Sequence, residues 1–233
     1  MTTPLTLEDL FRVLCASDAP LNVRLKDFSD GLRTLSLPFA EVYDDLIARL
    51  VSGQAGAGAP DVGDPMPPFM LPNSSGRLIS LDDLIQSGPV VVSFNRGHWC
   101  EYCAIELSAL AQALGALSAR GATVVSIMPE TQDFIRRAKI ACGGNLEILS
   151  DIDNAYALET GLAIWVGDRV RRIYSAHGVQ LEKYQNSEAW FLPIPATFVV
   201  GRDGLVIARY VDPDFRRRME IDDIIEAVKN GGK

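Results

Sequence analysis

The sequence predicts an α/β fold, a mixed central sheet flanked by helices, preceded by an N-terminal helical extension. Three observations lead there. Continuous β-branched runs at 89–94 and 122–127 bracket a helical pattern at 101–119, an order that implies βαβ units with parallel strands and right-handed crossovers. Apolar runs at 196–200 and 205–211 flank Gly201-Arg-Asp-Gly204, a hairpin signal. Residues 1–51 carry helical apolar stripes with no strand-like alternation.

The elements follow in order. Leu7, Leu10, Phe11 and Leu14 keep i, i+3, i+4, i+7 spacing, with Thr6 placed as an N-cap three residues before Asp9. Phe39, Val42, Tyr43, Leu46, Ile47 and Leu50 form a second stripe. Residues 52–61 are Gly/Ala-rich and aperiodic, so we expect a linker there and a domain over 62–230. Helix 101–119 places Ala104, Leu107, Leu110, Ala111, Leu114 and Leu117 inward and stops at Gly121. A helix at 130–141, a strand at 146–149, a helical piece at 154–162 and a closing helix at 220–228 complete the pattern.

Composition limits the function. The 233 residues are 48% hydrophobic, as in an ordinary globular chain, and 22 Lys+Arg against 30 Asp+Glu give a net charge of −8. That balance argues against nucleic-acid or anionic-membrane partners, which need a basic footprint. No apolar run approaches the roughly 18–20 residues of a spanning helix, and the first ten residues contain no Lys or Arg. The expected compartment is therefore cytoplasmic.

Four cysteines stand at 15, 100, 103 and 142. The pair Cys100-Glu-Tyr-Cys103 lies where a strand gives way to a helix. Unpaired N–H groups and the positive end of the helix dipole stabilise a thiolate there, and three-residue spacing brings the second sulfur beside the first. Cys100, at the cap, is expected to be the more exposed sulfur. A zinc half-site lacks a second ligand pair among Cys15, Cys142, His98 and His177, and inert core thiols suit this turn poorly. No metal or cofactor is expected.

Arg96 is a candidate for positive potential beside the thiols, with a solvated surface charge as the alternative. His98 is a candidate titrating neighbour, and Trp99 is expected to shield the site. Glu101 would raise the thiol pKa values, and Tyr102 is expected to face outward or pack, with donation of a hydrogen bond as the alternative. Pro195 opens a strand, where its missing N–H costs no ladder bond. A cis Ile194–Pro195 bond would make a fixed bend lining a groove.

Asn95-Arg-Gly-His-Trp-Cys100-Glu-Tyr-Cys103 resembles the WCxxC site of the thioredoxin-like superfamily, and Pro195 resembles its cis-proline. More narrowly, Val62-Gly-Asp-Pro-Met-Pro-Pro-Phe-Met-Leu71, Ser80-Leu-Asp-Asp-Leu84, Leu149-Ser-Asp-Ile-Asp153, Pro195-Ala-Thr-Phe-Val199 and Val211-Asp-Pro-Asp-Phe215 with Arg216–Arg218 resemble peroxiredoxins of the AhpC/TSA type. The likeness spans 62–230. It departs at the site: aligned on Cys103, the family's Thr position holds Cys100, its Pro position holds Arg96, and its Arg before the Thr-Phe-Val strand is replaced by Pro195.

The resemblance implies a thioredoxin-like fold and a thiol-dependent peroxidase reducing hydrogen peroxide or organic hydroperoxides. Cys103 attacks and Cys100 resolves by that alignment, and a thiol such as thioredoxin or glutathione regenerates the pair. Arg96 would stand in for the missing guanidinium. The alternative is a thiol–disulfide oxidoreductase with Cys100 as nucleophile; a third reading is a non-enzymatic binding module. The N-terminal stripes are candidates for a homodimer interface, with simple packing weighed above it. Cys142 is a candidate second resolving thiol, weighed below an inert helix-end residue, and Cys15 reads as a core residue.

Overall fold

A computed structural model describes residues 6–231; residues 1–5 of the N-terminal segment lie outside the described residues. The segment contains three helices, α1 (Leu7–Ala16), α2 (Leu21–Leu35) and α3 (Leu37–Ser52). Thr6 caps α1 as its spacing predicts: its Oγ1 accepts the Asp9 N–H at 3.1 Å, and the Asp9 carboxylate accepts the Thr6 hydroxyl at 2.7 Å. The stripe Leu21, Leu25, Phe28 and Leu32 of α2, which the sequence reading left without an element of its own, is buried. The first N–H groups of α2 donate to the Glu220 carboxylate, both at 2.8 Å, so this helix is capped from the far end of the chain.

Residues 52–61, read as a linker, run as hydrogen-bonded turns. Arg209 donates to the carbonyls of Ala59 and Pro60 at 3.2 and 3.0 Å. After a small hairpin, β1 (Met70–Pro72) and β2 (Leu78–Ser80), come α4 (Leu81–Ser87), β3 (Val90–Phe94), α5 (Glu101–Ser118), β4 (Thr123–Met128), α6 (Gln132–Ala141) and β5 (Glu147–Ser150). A 3₁₀ turn and α7 (Ala155–Glu159) lead into a stretch that the sequence reading did not resolve: β6 (Ala163–Trp165), α8 (Asp168–Ala176), α9 (Leu181–Gln185) and β7 (Phe191–Pro193). Then follow β8 (Ala196–Val200), β9 (Val206–Val211) and α10 (Ile221–Gly231).

The main sheet has the order β5-β4-β3-β8-β9. β3, β4 and β5 are parallel, and β8 and β9 add antiparallel, with Phe94 opposite Ala196 and Ala196 opposite Val211. This is the mixed sheet predicted from a βαβ half joined to a ββα half. β3 lies at its centre and is buried along its whole length. Both outer strands meet the chain around β1: before it, Gly63 N–H donates to Val206 C=O and Val206 N–H to Asp64 C=O (2.8 and 2.9 Å), and just after it, Asn73 bridges Leu149 of β5.

One cluster of buried side chains crosses the N-terminal segment and the site, joining Leu25, Phe28, Tyr43 and Leu46 to Tyr102, Cys103, Tyr174 and Phe215. At the entry to β8 the expectation of a cis bend is corrected. The Ile194–Pro195 peptide is trans. Ile194 N–H donates to Leu162 C=O at 2.8 Å, so the chain continues extended from β7 into β8, the conformation favoured before proline.

Candidate active site

The tip of β3 and the start of α5 place the two sulfurs. Cys100 is the N-cap of α5, with extended backbone (φ −92°, ψ 109°), and its Sγ accepts the Cys103 N–H at 3.4 Å. A sulfur thus occupies the position usually held by a Ser or Asp oxygen. Cys103, one turn in, puts its Sγ 2.7 Å from Cys100 Sγ and accepts the Arg96 backbone N–H at 3.4 Å. Both cysteines are free thiols.

Two guanidiniums flank the pair. Arg96 Nη2 donates to Cys100 Sγ at 3.4 Å, and Arg218 Nη2 lies 3.8 Å from Cys103 Sγ. Arg96 is 2% exposed, which excludes the solvated-charge alternative. It lies among rings, 3.8 Å from the Phe215 centroid, 5.4 Å from Trp99 and 5.6 Å from Tyr43. Arg218 is fixed by Glu106, whose Oε2 accepts its Nε–H at 2.5 Å, and Glu106 Oε1 accepts the Ser93 hydroxyl at 2.9 Å. The buried carboxylate and guanidinium neutralise one another.

The surroundings split the two thiols. Burial pushes the Cys100 thiol up, but the Cys103 hydrogen bond and the charges of Arg96 and Arg218 outweigh it and hold it down at about 5. Burial, the Cys100 hydrogen bond and the Cys100 charge push Cys103 well up. The surroundings therefore favour the thiolate on Cys100 and the proton on Cys103. Burial also raises the Glu101 carboxyl to about 7, and the Cys100 charge adds to the effect.

Cys100, expected to be the more exposed sulfur, is as deeply covered as its partner. It is 1% exposed and Cys103 0%, because the aromatic side chains of α3, α8 and the 213–215 loop close over the helix tip. The environment is not hydrocarbon alone, since the two guanidiniums supply the polar contacts.

The other predicted residues divide. Trp99 packs edge-on to Tyr174 at 5.0 Å and shields the site. Tyr102 packs on Phe28 at 5.0 Å, with its hydroxyl 3.0 Å from Ser29 Oγ. His98 is drawn away from the sulfurs: Nδ1 sits 2.7 Å from Glu130 Oε1, its N–H donates to Glu130 Oε2 at 2.8 Å, and its ring packs on Phe134 and Tyr184. Pro195 lines a small, nearly filled apolar gap together with Arg96 and Phe215. Cys142 is a half-buried helix-end residue whose Sγ donates to Lys139 C=O at 3.3 Å; it lines a separate groove with Cys15. Among the described residues no group of three or more His, Cys, Asp or Glu is placed to hold a metal ion.

Arg218 and Glu106 are the residues the sequence reading missed as site residues. A run of three arginines reads as a solvated face, and Glu106 stands 112 residues away from Arg218. The usable signal was Glu106 itself, a carboxylate on the apolar face of a buried helix, which calls for a cation.

Known proteins agree with this architecture. The chain is 28% identical over 149 residues, 64% of its length and 83% of the relative's, to a Mycobacterium tuberculosis protein whose name assigns it to the peroxiredoxins. Among solved structures it is similar to the peroxidoxin BcpB of Mycobacterium tuberculosis (TM-score 0.57, 18% identity, 73% of this chain and 97% of that one). A cysteine-to-serine variant of peroxiredoxin 6 of Arenicola marina gives TM-score 0.56 at 15% identity, over 72% of this chain and 71% of that one. These two show the thioredoxin-like fold. The sequence model of the AhpC/TSA family matches residues 62–209, and the chain belongs to that family, one of peroxide-reducing oxidoreductases.

Proposed function

We propose that this chain is a thiol-dependent peroxidase in which Cys100 attacks and Cys103 resolves. The carrying observation is the dithiol between two guanidiniums, with the sulfurs 2.7 Å apart. The Cys100 thiolate displaces on the O–O bond of the peroxide. An S–O bond forms and the O–O bond breaks. The departing oxygen takes a proton and leaves as water or an alcohol, and Cys100 becomes a sulfenic acid. Cys103 then attacks that sulfur and expels water, giving a disulfide. Two equivalents of a thiol such as glutathione, or one dithiol such as thioredoxin, return the pair to the reduced state.

This order reverses the one implied by alignment on Cys103. Electrostatics supports the reversal: the Cys103 hydrogen bond and the charges of Arg96 and Arg218 hold the Cys100 thiol down, while burial and the Cys100 sulfur push Cys103 up. The test is a pair of variants in a coupled peroxide assay. Cys100→Ser is expected to abolish consumption. Cys103→Ser is expected to react once and accumulate a sulfenic acid that dimedone traps on Cys100. A dimedone adduct on Cys103 in the Cys100→Ser variant would restore the aligned order.

A second reading has one observation in its favour. An N-cap cysteine with a depressed pKa, three residues before a buried thiol, is also what a disulfide oxidoreductase needs. Its protein substrate would have to reach Cys100, which is 1% exposed; a small peroxide is favoured for the attack step, and a protein reductant of the later disulfide meets the same aromatic cover. Insulin reduction without peroxide consumption would favour the oxidoreductase.

A further inference from the structure

The proposed chemistry needs Cys100 to meet a reagent, yet Cys100 is 1% exposed, so part of its cover must move. The rings gathered around Arg96 at the helix tip are Tyr43, Trp99 and Phe215, with Tyr174 packed on Trp99. Tyr43, Tyr174 and Phe215 are buried, and Trp99 alone is partly exposed. Its indole Nε1 is buried and has no hydrogen-bond partner among the described residues. The ring thus closes the site with its one polar atom unpaired, which weakens its hold on the closed position. The backbone on either side is fixed: His98 N–H donates to Glu130 Oε2 at 2.8 Å and Cys100 N–H to Gly97 C=O at 3.2 Å. Motion of Trp99 is therefore a rotation of its side chain.

Space for that rotation lies beside the ring. Trp99 lines a cavity of about 280 Å³ together with Leu7, Glu8 and Phe11 of α1 and Glu101 and Ala104 of α5. One water takes up roughly 30 Å³ of the liquid, so the cavity is of a size to take an indole. We propose that Trp99 is a gate: its indole swings off the helix tip into the cavity between α1 and α5, and Cys100 meets its reagents only in that open state. The inference rests on Cys100 as the reacting thiol. In the open state Leu7, Phe11 and Ala104 supply apolar walls for the ring, and the Glu8 or Glu101 carboxylate accepts Nε1–H. Opening gains the hydrogen bond that the closed state lacks and loses the packing on Tyr174 and Arg96. The reaction rate then scales with the open fraction. α1 lies outside the stretch matched by the family model, so the receiving wall is an addition of the N-terminal segment to the common scaffold.

The experiment follows alkylation of Cys100 by iodoacetamide across pH in the full-length reduced protein, with the adduct mapped by mass spectrometry. It yields a limiting rate, set by the open fraction, and a pH midpoint, set by the sulfur's charge. Ala104→Leu fills the receiving cavity and is expected to lower the limiting rate about tenfold or more, in proportion to the open state lost, with the midpoint unchanged. Trp99→Ala removes the gate and is expected to raise the limiting rate; adding Ala104→Leu to it should then change nothing. Should Ala104→Leu not fold, Leu7→Phe fills the same cavity from α1 and gives the same readings. A limiting rate indifferent to the filling, or slowed as much without Trp99 as with it, overturns the gate. So does a Trp99→Ala rate no higher than that of the wild type. Alkylation reads access to the sulfur whatever its natural reagent. A protein that shows this pattern but consumes no peroxide keeps the gate and loses the peroxidase reading.

Discussion

At the scale of single residues the site is an electrostatic device for separating two equal thiols. Arg96 is the part that a substitution can remove most cleanly. Arg96→Met keeps much of the apolar stem but deletes the charge that opposes the burial penalty on Cys100. The Cys100 pKa is then expected to rise, and alkylation by iodoacetamide at pH 7 to slow by roughly tenfold or more, in proportion to the thiolate lost. In the wild type, the alkylation rate of Cys100 should rise with pH through a midpoint near 5.

The stability sign follows from the same shift. The folded reduced protein releases this proton well below the thiol's ordinary value of 9.0. The contribution is therefore fully present above that value and is lost as pH falls toward 5. Glu101 acts oppositely, because its folded pKa is raised from 4.5 to about 7. Its contribution is lost as pH rises through 7. Glu101→Gln is accordingly expected to raise the melting temperature of the reduced protein at pH 8 and to lower the Cys100 pKa, both readable by pH-resolved thermal melts and alkylation.

Much of this was legible in the chain, and the boundary is physical. A CxxC at a strand-to-helix turn announces two adjacent thiols, because helix geometry alone sets their spacing. The burial of Cys100 was not legible, because the side chains that cover it come from α3, α8 and the 213–215 loop, none of them its neighbour in sequence. Arg96 could be named as a candidate but not placed, since a lone arginine reads the same in solvent as against a sulfur. His98 shows the converse: proximity in sequence suggested a role beside the thiols, but Glu130, 32 residues on, binds its ring and backbone N–H instead.

At the scale of elements, α5 carries the site and is held at both faces. Its buried Glu106 pairs with Arg218 just before α10. Glu106→Ala leaves that guanidinium buried without a counter-charge and is expected to destabilise by about 3–5 kcal/mol in urea unfolding, far more than removal of an exposed pair such as Lys26–Asp30. The inner strands β3, β4 and β8 were legible because a strand covered on both faces is apolar along most of its length, while the partly buried β9 with its Arg209 was found from the Gly201–Gly204 turn. The β6–β7 pair was not. Its strands are three residues each and separated by two helices, so neither alternation nor a turn signal marks it. The second helix, α2, could have been found from Leu21, Leu25, Phe28 and Leu32, but no side-chain cap marks its start, which is held by Glu220 instead.

At the scale of the whole molecule, the N-terminal helices and the family scaffold share one core. Deleting residues 1–51 would uncover Tyr102, Tyr174 and Phe215 and the helix tip beneath them. Such a truncation is expected to lose solubility through the exposed apolar patch; any soluble fraction should show Cys100 alkylated faster than in the full chain. The sequence reading assigned these stripes chiefly to packing, and packing is what they do here: the surface they bury belongs to the catalytic scaffold.

The stretch from Gly63 to Asn73, which includes β1, touches both rims of the sheet. Its Gly63 N–H and Asp64 C=O pair with Val206 at one rim and Asn73 bridges Leu149 at the other, so it denies part of both rims to any foreign strand. Sheets left open at their margins invite end-on zippering into fibrils. Here such growth is obstructed at one point on each side by a single stretch of backbone.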